Sequence, residues 1–504
     1  MLSMKRYLSF CSMECNNHVV ANRLMLSMKR YLSLCIILGL LVILGRQDFS
    51  WSLSLIPPSY KIADLDQVTL YKSKADTQFD FSADGRWVIY DFEGNIWLMN
   101  ANGSGKQVLT KGSHPTFSPD GRKIAYEEDE SIWLYDLERK EEIMLSEGAI
   151  NPKFSPDEEK IAFLSTRSIS NNIWIIDSDG QNLRQIIDLG SKRIIKYYTW
   201  SNSGNWIAFS SAEVEPTFGG VRSGSLDIWL INKEGTYQER LVSPGEGAPP
   251  VFSPEDDKLA FISNPEGSPG LYLIDLESRE ENLLFRSDAF SYLKYTDYFE
   301  EEFLGEERHW APRPSFSAEG KKIAFPVFNK DVSAFTISLI DLKGKKITDL
   351  AYGKGVIQDL RFSPNGDKIT FLRSKTLNAR TPYALFTLSF TQVVINGEKI
   401  NFDLFPLTKE GVLLIPLKVT SLNLGAKVSF EQLTKTIYLS REDICAELKL
   451  DSQKALVNGE VVSLKVAPTV IGGEVFVALK DLANILKAGI SWDKSSRTAY
   501  LNIE

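Results

Sequence analysis

The sequence predicts a mainly β chain: a β-propeller of seven blades, with six or eight as neighbouring counts, followed by a small two-repeat α+β domain. Three observations carry this. A ten-residue unit recurs seven times in order. A β-branched and aromatic run follows most of its copies. Beyond residue 391 the pattern changes, and the remainder repeats itself at an offset of 62 residues. Internal repeats of this kind decide architecture before any local propensity does.

The first 56 residues differ in kind from the rest. Lys29 and Arg30 precede an apolar run, Tyr31 to Gly45, which Arg46 ends. A basic flank ahead of about 15 apolar residues reads as an export signal, shorter than the roughly 20 needed to span a membrane. No small-x-small cleavage site follows, so an uncleaved N-terminal anchor through 31–45 stays open. MLSMKRYLSFC at 1–11 recurs as MLSMKRYLSLC at 25–35, and a start at Met25 or Met28 would leave 1–24 outside the protein. Cys11, Cys15 and Cys35 lie in this leader, which leaves Cys445 alone in a mature chain and no internal disulfide. The expected location is extracytoplasmic, secreted or membrane-anchored. A net charge of −8 argues against a nucleic-acid partner, which needs a basic face.

The repeats then run FSADGRWVIY at 81–90, FSPDGRKIAY at 117–126, FSPDEEKIAF at 154–163 and WSNSGNWIAF at 200–209. FSPEDDKLAF at 252–261, FSAEGKKIAF at 316–325 and FSPNGDKITF at 362–371 complete them. A strand ends at Phe-Ser, a Pro-Asp-Gly type segment makes a tight turn, and an alternating strand follows. The third strand is a run such as NIWLMN at 95–100, and a short fourth follows at positions such as Lys106 to Thr110. Four strands per unit make a propeller blade. The seventh unit has no evident fourth strand. Gln67 to Ala75 reads as an orphan strand that closes the ring by pairing into it, removing both free edges. These motifs resemble the TolB-type, WD-like propeller repeat over roughly 66–390. That resemblance implies the fold; function must come from a site. TolB itself carries an α/β domain ahead of its propeller, where this chain has only a leader.

In 391–504, VVINGEKINFD at 393–403 returns as ALVNGEVVSLK at 455–465, and the segment 413–439 returns as 475–501. Each half reads as an Asn-Gly hairpin, a short helix near 417–424 or 479–487, and a closing hairpin at Lys-Thr or Arg-Thr. The region resembles the copper amine oxidase N-terminal-like domain, which implies an accessory stalk or anchor. It contains no histidine, so no copper site is expected there.

Catalytic signatures are missing. No G-x-S-x-G occurs, the histidines are His18, His114 and His309, and none belongs to an H-E-x-x-H pair. No cofactor or metal is expected. Asp177-Ser178-Asp179-Gly180 could open a calcium loop but reads more simply as the turn from third to fourth strand. His114 reads as structural or exposed. The densest acidic cluster, Glu300 to Glu302 with Glu306 and Glu307, lies in the insertion Arg286 to Pro314. That insertion also carries Tyr295, Tyr298, Phe299, His309 and Trp310. Its rings and carboxylates could grip a sugar or peptide, or form an amphipathic cap over the propeller. The long connections all fall between strands two and three or between blades, which places them on one face. On that face Arg222, in the Gly-rich Ser211–Leu226 loop, joins those aromatics as candidate ligand-binding residues. The expectation is an exported, non-catalytic protein whose propeller binds an envelope protein, peptide or glycan. A glycan-degrading enzyme using acidic residues at the propeller mouth and a purely structural envelope protein are the rivals.

Overall fold

The computed structural model describes residues 63–70 and 78–503, apart from 168–171, 191, 218–219, 246–248, 264–268, 288–312, 330–333, 344–345, 375–382, 403, 472 and 495. The leader lies outside the described residues.

Between 63 and 390 the described strands form seven four-stranded antiparallel sheets. Sheet 1 shows the pattern, with strands Phe79–Phe81, Trp87–Phe92, Asn95–Asn100 and Gln107–Lys111. Sheets 2 to 6 occupy 113–147, 149–185, 193–245, 251–286 and 315–354 in the same order. Sheet 7 takes Val356–Phe362, Lys368–Ser374 and Tyr383–Phe390 from the end of the run and Ala63–Leu70 from its beginning. The orphan strand therefore closes the ring, four residues earlier than the expected Gln67 start; 71–75 lie outside the described residues.

Each sheet touches the next. Thr116 Oγ1 donates to Asp80 Oδ2 (3.0 Å) between sheets 1 and 2, and Asn151 N donates to Glu127 Oε2 (3.1 Å) between 2 and 3. Tyr198 OH donates to Ala162 O (2.9 Å), and Asn202 N to Asp256 Oδ1 (2.6 Å). Phe285 packs on Phe325 at 5.1 Å, and Phe362 N donates to Ser315 Oγ (3.0 Å). Arg361 Nη1 completes the circuit from sheet 7 to Asp80 Oδ1 of sheet 1 (3.1 Å).

The turn chemistry explains the repeat. In all seven units the serine after the aromatic is buried, and its Oγ accepts the backbone N–H five residues on. In the first three units the hydroxyl donates onward to the turn aspartate, Asp84, Asp120 or Asp157. That bond, with the Arg86 N–H, holds the Asp84 carboxyl down at about 2. The next two strands bring aromatics into register. Tyr90 stacks on Trp97, Phe209 on Trp229, Phe261 on Tyr272 and Phe371 on Phe386, each a direct cross-strand pair. Such pairs add about 0.5–1.5 kcal/mol each beyond area burial.

The C-terminal domain keeps its internal repeat. Asn396-Gly397 and Asn458-Gly459 turn their hairpins with φ of 51° and 86°, and 50° and 84°. Helices α1 (Leu417–Asn423) and α2 (Leu479–Ile485) end within two residues of expectation. The closing hairpins are Lys427–Glu431 with Thr436–Arg441, and Gly489–Asp493 with Thr498–Asn502. The domain's two ends pair in parallel, Gln392–Ile395 against Thr498–Asn502.

This domain packs on the propeller. Leu404, Leu407, Leu414, Ile471 and Phe476 share one buried cluster with Phe362, Phe371 and Phe390 of sheet 7. Phe405 stacks on Phe390 at 4.2 Å and 5°, and Lys322 Nζ lies 4.7 Å over the Phe405 ring. Lys322 Nζ also donates to Phe402 O, and Lys399 Nζ to Asn365 O. Asn365 belongs to a first-to-second-strand turn, and Phe390 ends a third strand. Both lie on the turn face, opposite the connection between Trp206–Thr217 and Gly220–Asn232.

Candidate functional site

Tyr295, Tyr298, Phe299, His309 and Trp310 lie outside the described residues. Arg222 is described in its backbone, and there the expected loop is corrected. Ser211–Leu226 is largely strand: Trp206–Thr217 pairs with Gly220–Asn232, and Arg222 stands opposite Glu215. The corresponding second strands of sheets 1, 2, 3 and 5 have six residues, whereas Trp206–Thr217 has twelve. At about 3.3 Å per residue its second strand runs about 20 Å further toward the loop face than those of sheets 3 and 5.

A charge network holds its base. Arg193 Nη2 donates to Asp227 Oδ2 at 2.6 Å, its Nη1 to Glu213 Oε1 at 3.1 Å and its Nε to Ser211 Oγ at 3.1 Å. Arg240 approaches Asp227 at 3.6 Å, and both guanidiniums lie over the Trp229 ring. Asp227 is buried but doubly paired, as a buried charge must be. This network holds the base of the hairpin where it leaves the sheet.

A second concentration of charge sits on the axis. First strands touch their neighbours around the ring, which puts them innermost. The residue before the repeat's aromatic is Asp80, Thr116, Lys153, Thr199, Val251, Ser315 and Arg361 in sheets 1 to 7. Two residues further back, His114, Asn151 and Asp359 are left-handed, with φ of 52°, 54° and 46°, each inside a register shift. Bulges of this kind re-aim side chains. Arg361 Nε and Nη2 donate to Asp359 (2.9 and 2.8 Å), its Nη1 goes to Asp80, and its guanidinium lies over Phe79. Arg313 Nη1 approaches Asp359 Oδ1 at 3.6 Å. Lys153 Nζ donates to Tyr198 O at 2.7 Å.

The electrostatics follow from this crowding. Burial first, then the Arg313 and Arg361 guanidiniums, pulls the Lys153 ammonium down to about 7. Arg313 leads into sheet 6 and Arg361 lies in sheet 7, so Lys153 of sheet 3 feels them across the axis. Burial and Arg361 lower Arg313 to about 10. Burial pushes the Asp359 carboxyl up, but Arg361 and Arg313 together hold it below the ordinary range.

The other sequence candidates have structural roles. Asp177 accepts Lys160 Nζ and Asn182 Nδ2 within the expected turn, which Gly180 N closes onto Asp177 O. His114 Nδ1 lies 3.2 Å from Glu127 Oε2. Among the described residues no three His, Cys, Asp or Glu side chains converge as metal ligands, and no helix is long and apolar enough to cross a membrane. Cys445 is free and exposed.

Comparison with known proteins gives likenesses for parts of the chain. Residues 394–501 match the family model of the copper amine oxidase N-terminal domain. A TolB homolog of Protochlamydia amoebophila is 31% identical over 112 residues, covering 21% of this chain and 22% of that protein. One of Chlamydia felis is 33% identical over 103 residues, covering 20% and 22%. The chain thus spans about a fifth of the length of these curated relatives. A solved oligogalacturonate lyase of Vibrio parahaemolyticus superposes with a TM-score of 0.46 at 15% identity, over 65% of this chain and 93% of that one. The propeller thus bears a likeness to TolB homologs, and residues 394–501 match the copper amine oxidase N-terminal domain.

Proposed function

We propose that this is an exported, non-catalytic binding protein of the cell envelope. Its propeller takes a protein, peptide or glycan on the loop face, and its C-terminal domain serves as stalk or anchor. The observation that carries the reading is the division of faces. The C-terminal domain packs against the turn face through Phe402, Phe405 and Lys399, while the extended 206–232 hairpin emerges on the opposite side. Length variation confined to one side of a rigid disc is how propellers build binding surfaces. The basic-apolar segment 29–46 supports export, and the TolB likeness supports an envelope setting. Arg222, Tyr295, Tyr298, Phe299, His309 and Trp310 are the proposed contacts.

The test is retention of a stoichiometric partner from envelope extracts by the full chain, beside a variant whose 214–225 tip is replaced by a two-residue turn. Loss of the partner in the variant supports the reading. A partner held equally by both places binding elsewhere. Turnover of polysaccharide by the purified chain, abolished by Glu301→Gln, would replace it with a glycan-degrading activity.

A further inference from the structure

We propose that the axial cluster is a seat for one carboxylate group, held between Lys153 and Arg313. The argument starts from charge balance. Among the described residues three cations share the axis with two carboxylates: Arg313 and Arg361 pair with Asp359, Arg361 pairs with Asp80, and Lys153 takes in sheet 3 the repeat position that Asp80 and Arg361 take in sheets 1 and 7. Those carboxylates are already engaged. Asp359 takes two bonds from Arg361, and Asp80 takes Arg361, Thr116 Oγ1 and Phe117 N. Arg361 spends three of its five N–H donors on these two carboxylates.

Lys153 and Arg313 are not. Lys153 donates to a single carbonyl, Tyr198 O, and no described carboxylate lies within ion-pair distance of it. Among the described residues Arg313 has one ion pair, at 3.6 Å, longer than a charge-assisted hydrogen bond. Among the described residues, two cations with spare donors and a surplus of one positive charge call for one negative charge. A monoanionic carboxylate supplies it, whereas a dianion overshoots. The seat is reachable: the side chains of Asp359, Arg313, Arg361 and Asp80 keep 16%, 20%, 21% and 26% exposure although protein surrounds them. The left-handed bulges at Asn151 and Asp359 hold the flanking backbone in a conformation that costs energy and persists where side chains must be aimed.

Occupancy depends on pH. The charged groups that act most strongly on Lys153 are Arg313, Arg361, Asp359 and Asp80, and its ammonium contacts the Tyr198 carbonyl and ring. An ammonium that titrates near 7 is charged below that pH, so binding strengthens as pH falls through 7 and weakens above it. This seat lies in the bore, and its success or failure is separate from that of the loop-face reading.

The experiment uses the full chain with lysine labelled at Cε and follows the Lys153 resonance by NMR against pH. Acetate, inorganic phosphate and chloride are compared at equal ionic strength. Acetate is expected to raise the Lys153 midpoint by about one unit, saturably, corresponding to about tenfold preference for the charged form. Chloride is expected to leave it in place. Arg313→Gln should raise the midpoint without acetate, by removing a repelling charge, and weaken the acetate response at least about tenfold. Arg313→Lys keeps the charge without the fork and should weaken it less, which preserves the test if the glutamine variant does not fold. An equal response to chloride, a tighter response to phosphate, or an Arg313→Lys variant that binds acetate as tightly as the parent overturns the proposal.

Discussion

Phe405→Ala tests whether the two domains form one structure. The ring is partly buried, lies parallel to Phe390 at 4.2 Å, and carries Lys322 Nζ at 4.7 Å from its centroid. The stacked pair contributes about 1 kcal/mol and the cation over the ring about 0.5–1 kcal/mol. Burying roughly half a phenylalanine side chain adds about 1–1.5 kcal/mol. The variant should therefore lose about 3 kcal/mol of docking energy, while Lys322 keeps its bond to Phe402 O. Hydrogen exchange resolved by peptide separates docking from global stability. In the parent, the strands Tyr383–Phe390 and Gln392–Ile395 should open together. In the variant, amides of 391–416 and sheet 7 should exchange about a hundredfold faster while sheets 1 to 3 stay as before. A loss under about 1 kcal/mol, or equal losses in all sheets, would refute the idea that this ring couples the domains.

Three further outcomes follow from the packing. Burial pushes the Asp349 carboxyl from 3.8 up to about 6, against the opposing bond from Ser338 Oγ at 2.8 Å. A raised acid stabilises fully below 3.8 and loses that contribution as pH rises through 6. The shift would be worth about 3 kcal/mol undiscounted, so with partial exposure Asp349→Asn should stabilise by about 1–2 kcal/mol at pH 7 and by nothing below pH 4, read from urea midpoints. Gly235 sits at φ 76°, and a Cβ there would meet Ile186 O at 2.5 Å. Gly235→Ala should cost upwards of about 2 kcal/mol in thermal unfolding, and an unchanged melting temperature would show that the turn relaxes freely. Ser363→Ala leaves the Lys368 N–H without its acceptor and should cost about 1–3 kcal/mol by chemical denaturation; a neutral result would mean water replaces the hydroxyl.

The propeller was legible because its signal is covalent spacing. A buried serine with its acceptor bond five residues on forces the same letters into every turn, and the aromatic pairs follow from register. The ring's closing strand was legible as a strand without a partner, although its start moved to Ala63. The axial charges were not legible, because they occupy the position before the repeated aromatic, which varies along the repeats: Asp80, Thr116, Lys153 and Arg361 share no chemistry. Only their convergence on an axis makes them a group. The long hairpin was misread because Pro216, Gly219, Gly220 and Gly224 look like punctuation, whereas the pairing from Ala212–Leu226 out to Thr217–Gly220 runs across them. Docking of the C-terminal domain was equally hidden, since nothing in Leu404 or Phe405 names Phe390 as its neighbour.

The seam in sheet 7 has a consequence for biogenesis. Its outer strand leaves the ribosome first and its three inner strands last, so the polypeptide cannot seal itself until residue 390 has been made. Until then two raw edges wait for each other. The domain that follows packs directly on that sheet, through Phe390, and so acts as a latch thrown after the door has shut.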